Sequence, residues 1–279
     1  MSQVAARAGG DGAVAVVVSA DYAVCPADVG QLIDALAVEL RRCDTELVAT
    51  YVVDRIAAGA RWYCGDGCGA AGVLSDPATS LLADWAVLAG RRLYSSRDEL
   101  TALVAADSDR AAELLPLLNR AGAPDRRSAV RAALTAARRL ARGAALSDRE
   151  LAAVGASLTD PRVRDRLFTA AASNRAAEAE ALWTLLARVL PEPWRAEALV
   201  LLAVSAYVRG DGSLAGTAVL AALADDAEHP MAGMLDTALQ DAVRPEEIRE
   251  LLVPAGRRRR GLRRAPARLG NSRKRAQPT

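Results

Sequence analysis

The first sixty residues combine short runs of β-branched residues with one stretch of helical periodicity. Residues 12–20, GAVAVVVSA, form an apolar run bounded by polar residues, which predicts a buried strand. Residues 25–43 place Leu, Ile and Val at helical spacing after a Pro suited to a first turn, which predicts a helix. Residues 46–56 predict a second strand, with residues 57–64 as its hairpin partner or as a short edge strand. The order strand–helix–strand indicates a parallel βαβ unit.

This βαβ unit is too small to bury its own sheet. Two or three strands and one helix leave a sheet face and both edges uncovered. Residues 3–10, QVAARAGG, resemble the last turns of another helix closed by glycine. We therefore expect the chain to begin partway through a domain, because of a misassigned start codon or a truncation.

From Ser75 onward the apolar spacing is helical and strand patterns are rare. Helix starts are marked by Asp-Pro pairs at 76–77 and 160–161 and by Ser/Glu capping boxes at 96–99 and 147–150. Further helices are predicted over residues 126–142, 175–189, 194–208, 213–225, 230–241 and 245–252.

These patterns predict the α/β (α+β) class with three regions. Residues 1–74 form a small, incomplete βαβ layer with a cysteine-containing loop, and residues 75–253 form a larger all-α domain. Residues 254–279 lack periodicity and form a disordered Arg-rich tail. Apolar residues make up 52% of the chain but aromatic residues only 4%, so the core is built from Ala, Leu and Val, which favours closely packed helices.

The net charge of +2 hides a strong asymmetry along the chain. Residues 254–279 hold nine Arg, one Lys and no acidic residue, whereas residues 1–253 hold 26 basic and 34 acidic residues. Such a tail attracts phosphates but lacks aromatic residues that stack on bases, so its binding to nucleic acid or another polyanion should be sequence-independent and salt-sensitive. The alternative is a solvated tail without a dedicated partner. The candidate contacts are Arg257, Arg258, Arg259, Arg260, Arg263, Arg264, Arg268, Arg273, Lys274 and Arg275.

The apolar runs are too short for a transmembrane segment. A span needs about 20 apolar residues, and the longest candidate is the run at 198–208, ALVLLAVSAYV, the length of a buried core helix. The N-terminus lacks a signal-peptide pattern, so we expect a cytoplasmic protein with reduced cysteines.

Two of the four cysteines, Cys64 and Cys68, lie in a glycine loop. Their spacing lets two thiolates reach one zinc ion, but the remaining ligands would have to come from Cys25, Cys43 or His229. No second closely spaced cysteine pair exists, so the metal signal is weak. A reversible disulfide is opposed by the close spacing and a reducing cytosol. The favoured interpretation is a tight loop whose cysteines are partly buried against Trp62 and Tyr63.

Residues 207–226 match the spacing of a tetratricopeptide helix–turn–helix. The matching positions are Tyr207, Gly210, Ala215, Val219, Ala222 and Leu223. One repeat is weak evidence because such arrays need about three units to stack. The alternative is an ordinary helical hairpin that closes a bundle. Only the repeat interpretation predicts a peptide groove.

Catalytic patterns are largely absent. The sole histidine, His229, precedes a Pro, where a role at a helix start or on the surface is expected rather than catalysis. There is no phosphate-binding Walker loop and no Gly-x-Ser-x-Gly elbow. The sequence predicts no cofactor.

Three segments in order resemble the actinobacterial family known as domain of unknown function 4192. They are RWYCGDGCGAAG at 61–72, AGRRLYSSRDELTALV at 89–104, and LLAVSAYVRGDGSLAGTAVLAALADDAEHPMAGMLDTAL at 201–239. The resemblance covers residues 3–253 and implies further N-terminal strands that this chain lacks. It also marks Trp62, Cys64, Asp66 and Cys68 as family positions, whereas Gly67 and Gly69 replace a Pro and a second adjacent Cys, which argues against a metal or redox role. The family has no established activity.

Taken together, the sequence favours a non-catalytic binding or scaffold protein. Its helical region would bind a protein partner whose identity the sequence does not give, and its tail would add polyanion affinity. The alternative is an enzyme or a metal- or thiol-dependent module centred on the Cys64/Cys68 loop.

Overall fold

The computed structural model describes residues 13–19, 26–81, 83, 94, 97–122 and 125–252. The chain divides into two units. The sheet unit comprises residues 1–102 with 237–242, and the helical unit comprises residues 103–236 with 243–279. The predicted tail therefore lies outside the described residues, as do Cys25 and the predicted capping Ser96.

The sheet unit contains one four-stranded sheet in the order β1–β2–β3–β4. The strands are Ala13–Ser19, Glu46–Val53, Arg61–Cys64 and Ala71–Val73. Strand β1 pairs in parallel with β2, and helix α1, Pro26–Arg42, connects them, which confirms the predicted parallel βαβ unit. Strands β3 and β4 extend the sheet as antiparallel hairpins.

The amphipathic pattern of α1 places its larger side chains against the start of β2. Leu36 and Leu40 are buried, and Cys43 and Leu47 pack against them. Farther along β2, Val52 and Val53 are also buried. Burial of these aliphatic side chains is the main force that holds α1 to the sheet.

Most of the described chain after residue 96 is helical, which confirms the predicted α+β class. The helices are α2 (Arg97–Val104), α3 (Ser108–Arg120), α4 (Arg126–Ala141), α5 (Asp148–Leu158), α6 (Pro161–Ala171), α7 (Ala176–Val189), α8 (Trp194–Arg209), α9 (Gly212–Asp225), α10 (Pro230–Gln240) and α11 (Pro245–Leu252).

Side chains fix several of these helix boundaries. At the start of α5, the Ser147 hydroxyl and the Glu150 carboxylate satisfy each other's backbone N–H groups, which confirms the predicted capping box. At the start of α6, Asp160 accepts a hydrogen bond from the Arg162 N–H, with Pro161 in the first position. Helix α8 ends at Gly210, whose φ of 83° is in the left-handed region that favours glycine.

Helix α8 is the centre of the helical unit. The four successive residues Leu199–Leu202 are each at most 1% exposed. Because four successive residues point to every side of an α-helix, α8 is covered all round. Alanines at 196, 198, 203 and 206 are buried too, and their small side chains permit close approach of neighbouring helices.

Helices α8 and α9 form the predicted helical hairpin around Gly210. Its tetratricopeptide character stays a prediction. Among the described residues, no helix is long and apolar enough to cross a membrane.

Candidate functional site

The hairpin between β3 and β4 holds the cysteine loop close to β2. The Cys64 N–H donates to the Ala70 carbonyl at 2.8 Å, and the Gly65 N–H donates to the Thr50 carbonyl at 2.7 Å. Gly67 and Gly69 have φ values of 75° and 76°, which only glycine adopts without strain. These two glycines explain how the loop turns tightly enough to return Cys68 toward Cys64.

Close packing makes two other glycines of this hairpin necessary. A Cβ at Gly65 would lie 2.8 Å from the Thr50 Cγ2 atom, and a Cβ at Gly72 would lie 2.6 Å from the Trp62 Nε1 atom. The Trp62 ring also makes an edge-to-face contact with Tyr51, with centroids 5.7 Å apart. Trp62 and Tyr63 therefore belong to the half-buried body of the sheet.

The thiols of Cys64 and Cys68 are reduced and interact with each other. Cys64 is half-buried and Cys68 is exposed. The hydrogen bond from the Cys64 thiol lowers the pKa of Cys68, and a hydrogen bond from the Ala70 backbone lowers it further. The same thiol–thiol hydrogen bond raises the pKa of Cys64. The exposed sulfur is thus the one that ionises more easily.

Asp66 lies between the two cysteines in sequence and also faces Cys64. Its Oδ2 atom is 3.7 Å from the Cys64 Sγ atom and accepts a hydrogen bond from the Thr50 N–H at 3.3 Å. The Cys64 thiol therefore has two acceptors in reach, the Cys68 sulfur and the Asp66 carboxylate.

The other predicted zinc ligands do not assemble around this pair in the described part of the chain. Cys43 packs against Leu36 and Leu40, and His229 is bonded within the helical unit. No group of three or more His, Cys, Asp or Glu side chains suited to a metal ion occurs among the described residues.

His229 is at a helix start, as predicted, but it is buried rather than on the surface, with 5% of its area exposed. Its Nδ1 atom accepts a hydrogen bond from the Ala232 N–H in the first turn of α10, and its Nε2 atom is 3.5 Å from the Glu197 carboxylate on α8. Arg164 of α6 donates to the same carboxylate at 2.8 Å. The Glu197 carboxylate of α8 therefore connects Arg164 of α6 with His229 at the start of α10.

The Glu197 carboxylate is held ionised by its partners. Burial alone raises its pKa, but the hydrogen bonds from His229 and Arg164 outweigh burial and the net pKa is below the usual value. Arg164 also lies 3.7 Å from the carboxylate of Asp165, which is largely exposed.

The lowered pKa of Glu197 predicts a specific pH dependence of stability. Ionised Glu197 stabilises the fold above the unfolded glutamate pKa of about 4.3, and this contribution is lost as the pH falls through the lower folded value. We expect Glu197→Gln to reduce the free energy of unfolding by about 1–3 kcal/mol at pH 7 and to lose less stability on acidification than the unmodified protein. Urea unfolding at several pH values measures both effects.

The exposed residue Glu192, just before α8, offers the matched control. Glu192→Gln should leave both the stability at pH 7 and its pH profile unchanged. If the free energy of unfolding of Glu197→Gln and of the unmodified protein changed with pH in parallel, ionised Glu197 would not stabilise the fold.

The helical unit also has a cavity of about 560 Å³ beside α4, α6 and the end of α11. Its apolar lining includes Val130, Leu134, Ala170 and Leu252. Arg166 and Arg175 also line the cavity; both are exposed and have no ion-pair partner among the residues that the structure describes. We call this cavity the arginine groove.

A second, more open depression adjoins the arginine groove through the shared Arg166. Its other lining residues are Asp125, Arg126, Arg127 and Asp160. Arg126 is paired with Asp160 at 2.6 Å, so one of the three arginines here is neutralised. Sequence reasoning missed this surface because its arginines come from α4, α6 and a loop, which no local spacing pattern brings together.

Most of the chain matches one known protein family. The family model described as Domain of unknown function (DUF4192) matches residues 1–246. No curated protein and no solved structure matches the chain.

Proposed function

We propose that this chain, which belongs to the family of the domain of unknown function DUF4192, is a non-catalytic binding or scaffold protein of the cytoplasm. Its helical unit would hold an acidic, amphipathic segment of a partner protein in the arginine groove. Its tail would add non-specific affinity for nucleic acid or another polyanion. The observation that carries the proposal is the pair of exposed arginines beside an apolar cavity, neither of which has an ion-pair partner in the described part of the chain.

The size and chemistry of the arginine groove support this partner. Binding cavities typically measure about 300–1,000 Å³ and combine apolar walls with a few polar groups. An amphipathic helix would place its apolar side chains against Val130, Leu134 and Leu252. Its carboxylates would pair with Arg166 and Arg175, which gives the groove a preference for acidic sequences.

The cationic tail would strengthen binding without setting its specificity. Its charge begins shortly after Leu252, one of the residues that line the arginine groove. A concentrated positive charge raises the rate of encounter with acidic partners and loses effect as the salt concentration rises. Salt-sensitive binding to heparin or RNA is therefore expected from the same residues.

The test uses a fluorescent synthetic helix with a leucine face and a glutamate face as the probe. We expect Arg166→Glu/Arg175→Glu to weaken its binding about tenfold or more, because like charges then face each other. Arg149→Glu/Arg188→Glu, which changes two exposed arginines outside the groove, is the charge-matched control. Fluorescence anisotropy measures the affinity, and equal loss in the two double variants would refute the groove.

Deletion of residues 254–279 separates the two parts of the proposal. The truncated protein should lose retention on a heparin column while its peptide affinity remains sensitive to Arg166→Glu/Arg175→Glu. Equal retention of the full-length and truncated proteins at low salt would refute the role of the tail.

A second candidate is an enzyme or a metal- or thiol-dependent module at Trp62, Cys64 and Cys68. The hydrogen bond between the two thiols favours it. About one tightly bound zinc ion per chain, lost in Cys64→Ser, would support the metal form of this module.

A further inference from the structure

The two thiols of the β3–β4 hairpin are arranged asymmetrically. Cys64 is the last residue of β3, and the backbone bonds to Ala70 and Thr50 fix its neighbourhood. Cys68 lies in the loop between two glycines of positive φ, where its side chain is exposed. The Cys68 sulfur is therefore accessible to solvent and small molecules, and Cys64 lies on the facing side of the same short hairpin loop.

This arrangement matches the requirements of thiol–disulfide exchange. The attacking group is a thiolate that solvent can reach, and a second thiol must lie close enough to displace the first product. Cys68 meets the first requirement because its side chain is exposed to solvent; the hydrogen bonds that lower its pKa add to this. Cys64 meets the second, because its backbone is bonded across the hairpin to Ala70, only two residues after Cys68.

We infer that Cys64 and Cys68 form a reversible dithiol–disulfide couple that exchanges with small-molecule disulfides. The Cys68 thiolate attacks one sulfur of the small disulfide, forms a mixed disulfide and releases one thiolate. Cys64 then loses its proton and attacks the Cys68 sulfur, which forms the Cys64–Cys68 bond and releases the second thiolate. The dithiol is oxidised by two electrons, the small disulfide is reduced to two thiols, and the two thiol protons pass to the released thiolates through solvent.

The described residues favour this chemistry over metal binding. A structural zinc site needs four ligands, whereas the loop supplies two sulfurs and one carboxylate, Asp66, which also accepts the Thr50 N–H. Formation of the disulfide needs the two sulfurs to reach a bond length of about 2 Å, and the glycines around Cys68 leave its backbone free to adjust. This inference rests on the second candidate function, the thiol-dependent module, and is independent of the arginine groove and of the tail. It departs from the expectation from the sequence, which argued against a redox role for this loop.

The test uses the full-length chain carrying Cys25→Ser/Cys43→Ser, so that only the loop cysteines remain. The protein is equilibrated with mixtures of oxidised and reduced glutathione, quenched by alkylation and analysed by peptide mass spectrometry. We expect an intramolecular Cys64–Cys68 disulfide that increases with the oxidised fraction and disappears with excess reduced glutathione. Comparison with the unmodified chain shows whether Cys25 or Cys43 competes.

Single substitutions distinguish the roles of the two sulfurs. In Cys64→Ser, the mixed disulfide on Cys68 should accumulate, because no second thiol displaces it. In Cys68→Ser, the reaction with oxidised glutathione should be slower than in Cys64→Ser. Three outcomes would each overturn the inference. The first is a stable mixed disulfide in the protein that holds both cysteines, and the second is preferred pairing of either cysteine with Cys25 or Cys43. The third is a zinc ion bound by the two sulfurs.

Discussion

Asp225→Ala is expected to lower the free energy of unfolding of the helical unit by about 3–5 kcal/mol, because it leaves a buried guanidinium without its counter-charge. The Arg195 and Asp225 side chains are only 11% and 8% exposed. The Arg195 Nη1 atom lies 2.5 Å and 2.6 Å from the two carboxylate oxygens. Arg195 also donates to the carbonyls of Ala187 and Val104, at 2.8 Å and 2.7 Å.

These contacts make Arg195 a junction of the helical unit. One guanidinium joins α8 to α7 and α9 and to the carbonyl of Val104. Without Asp225, the charge stays fixed by its two carbonyl acceptors at a site that is largely shielded from water. The loss therefore exceeds that of an exposed ion pair, which contributes about 0–1 kcal/mol.

Urea unfolding followed by circular dichroism measures the effect of Asp225→Ala. Asp165→Ala is the matched control, because Asp165 is 60% exposed and its carboxylate is 3.7 Å from Arg164. The control should lose about 1 kcal/mol or less. A similarly small loss for Asp225→Ala would mean that Arg195 finds other compensation and is not a junction.

Trp183→Ala is expected to cost about 3–5 kcal/mol, the range for truncation of a large buried aromatic side chain. Trp183 of α7 is 1% exposed and is the largest of the fully buried side chains in the described residues. Its removal leaves a cavity that the surrounding Ala- and Leu-rich helices fill only in part, since short side chains have little freedom to move into it.

The control for Trp183→Ala is Leu220→Ala, because Leu220 of α9 is 52% exposed. The control should change stability by less than about 1 kcal/mol, since surface substitutions usually have small effects. Thermal and urea unfolding of both variants test the difference. Equal small losses would show that the core around Trp183 rearranges freely.

Local signals account for the parts of the fold that the sequence predicted. The Ser147–Glu150 capping box and the Asp160–Pro161 start act within one helical turn, so that their side chains satisfy backbone groups a few residues away. The predicted helix over 194–208 rests on a continuous apolar run, and the structure begins α8 at Trp194. Such features depend little on the rest of the chain.

Helix α3 shows where local signals fail. Pro116 lies inside it, and a proline removes a backbone donor and usually interrupts a helix. Leu114 and Leu118 on either side of the proline are nevertheless buried, and their burial stabilises the helix despite it. The sequence alone did not single out this segment.

The polar contacts of the helical unit could not be predicted from the sequence, because their partners lie far apart along the chain. Glu197 meets Arg164 and His229 across separations of about thirty residues, and no spacing pattern indicates that they converge. In the cysteine loop, the four-residue spacing already suggested that the sulfurs could meet. Only the hairpin geometry distinguishes the exposed Cys68 from the half-buried Cys64.

The position of α8 along the chain has a consequence for synthesis. Helices α3 to α7 precede it, so their inward faces have no central partner until residues 194–209 have been made. A nascent chain that stops earlier would expose leucines meant for contact with α8, and exposed apolar surface promotes aggregation. The helical unit should therefore reach its native packing only after residues 194–209 have left the ribosome.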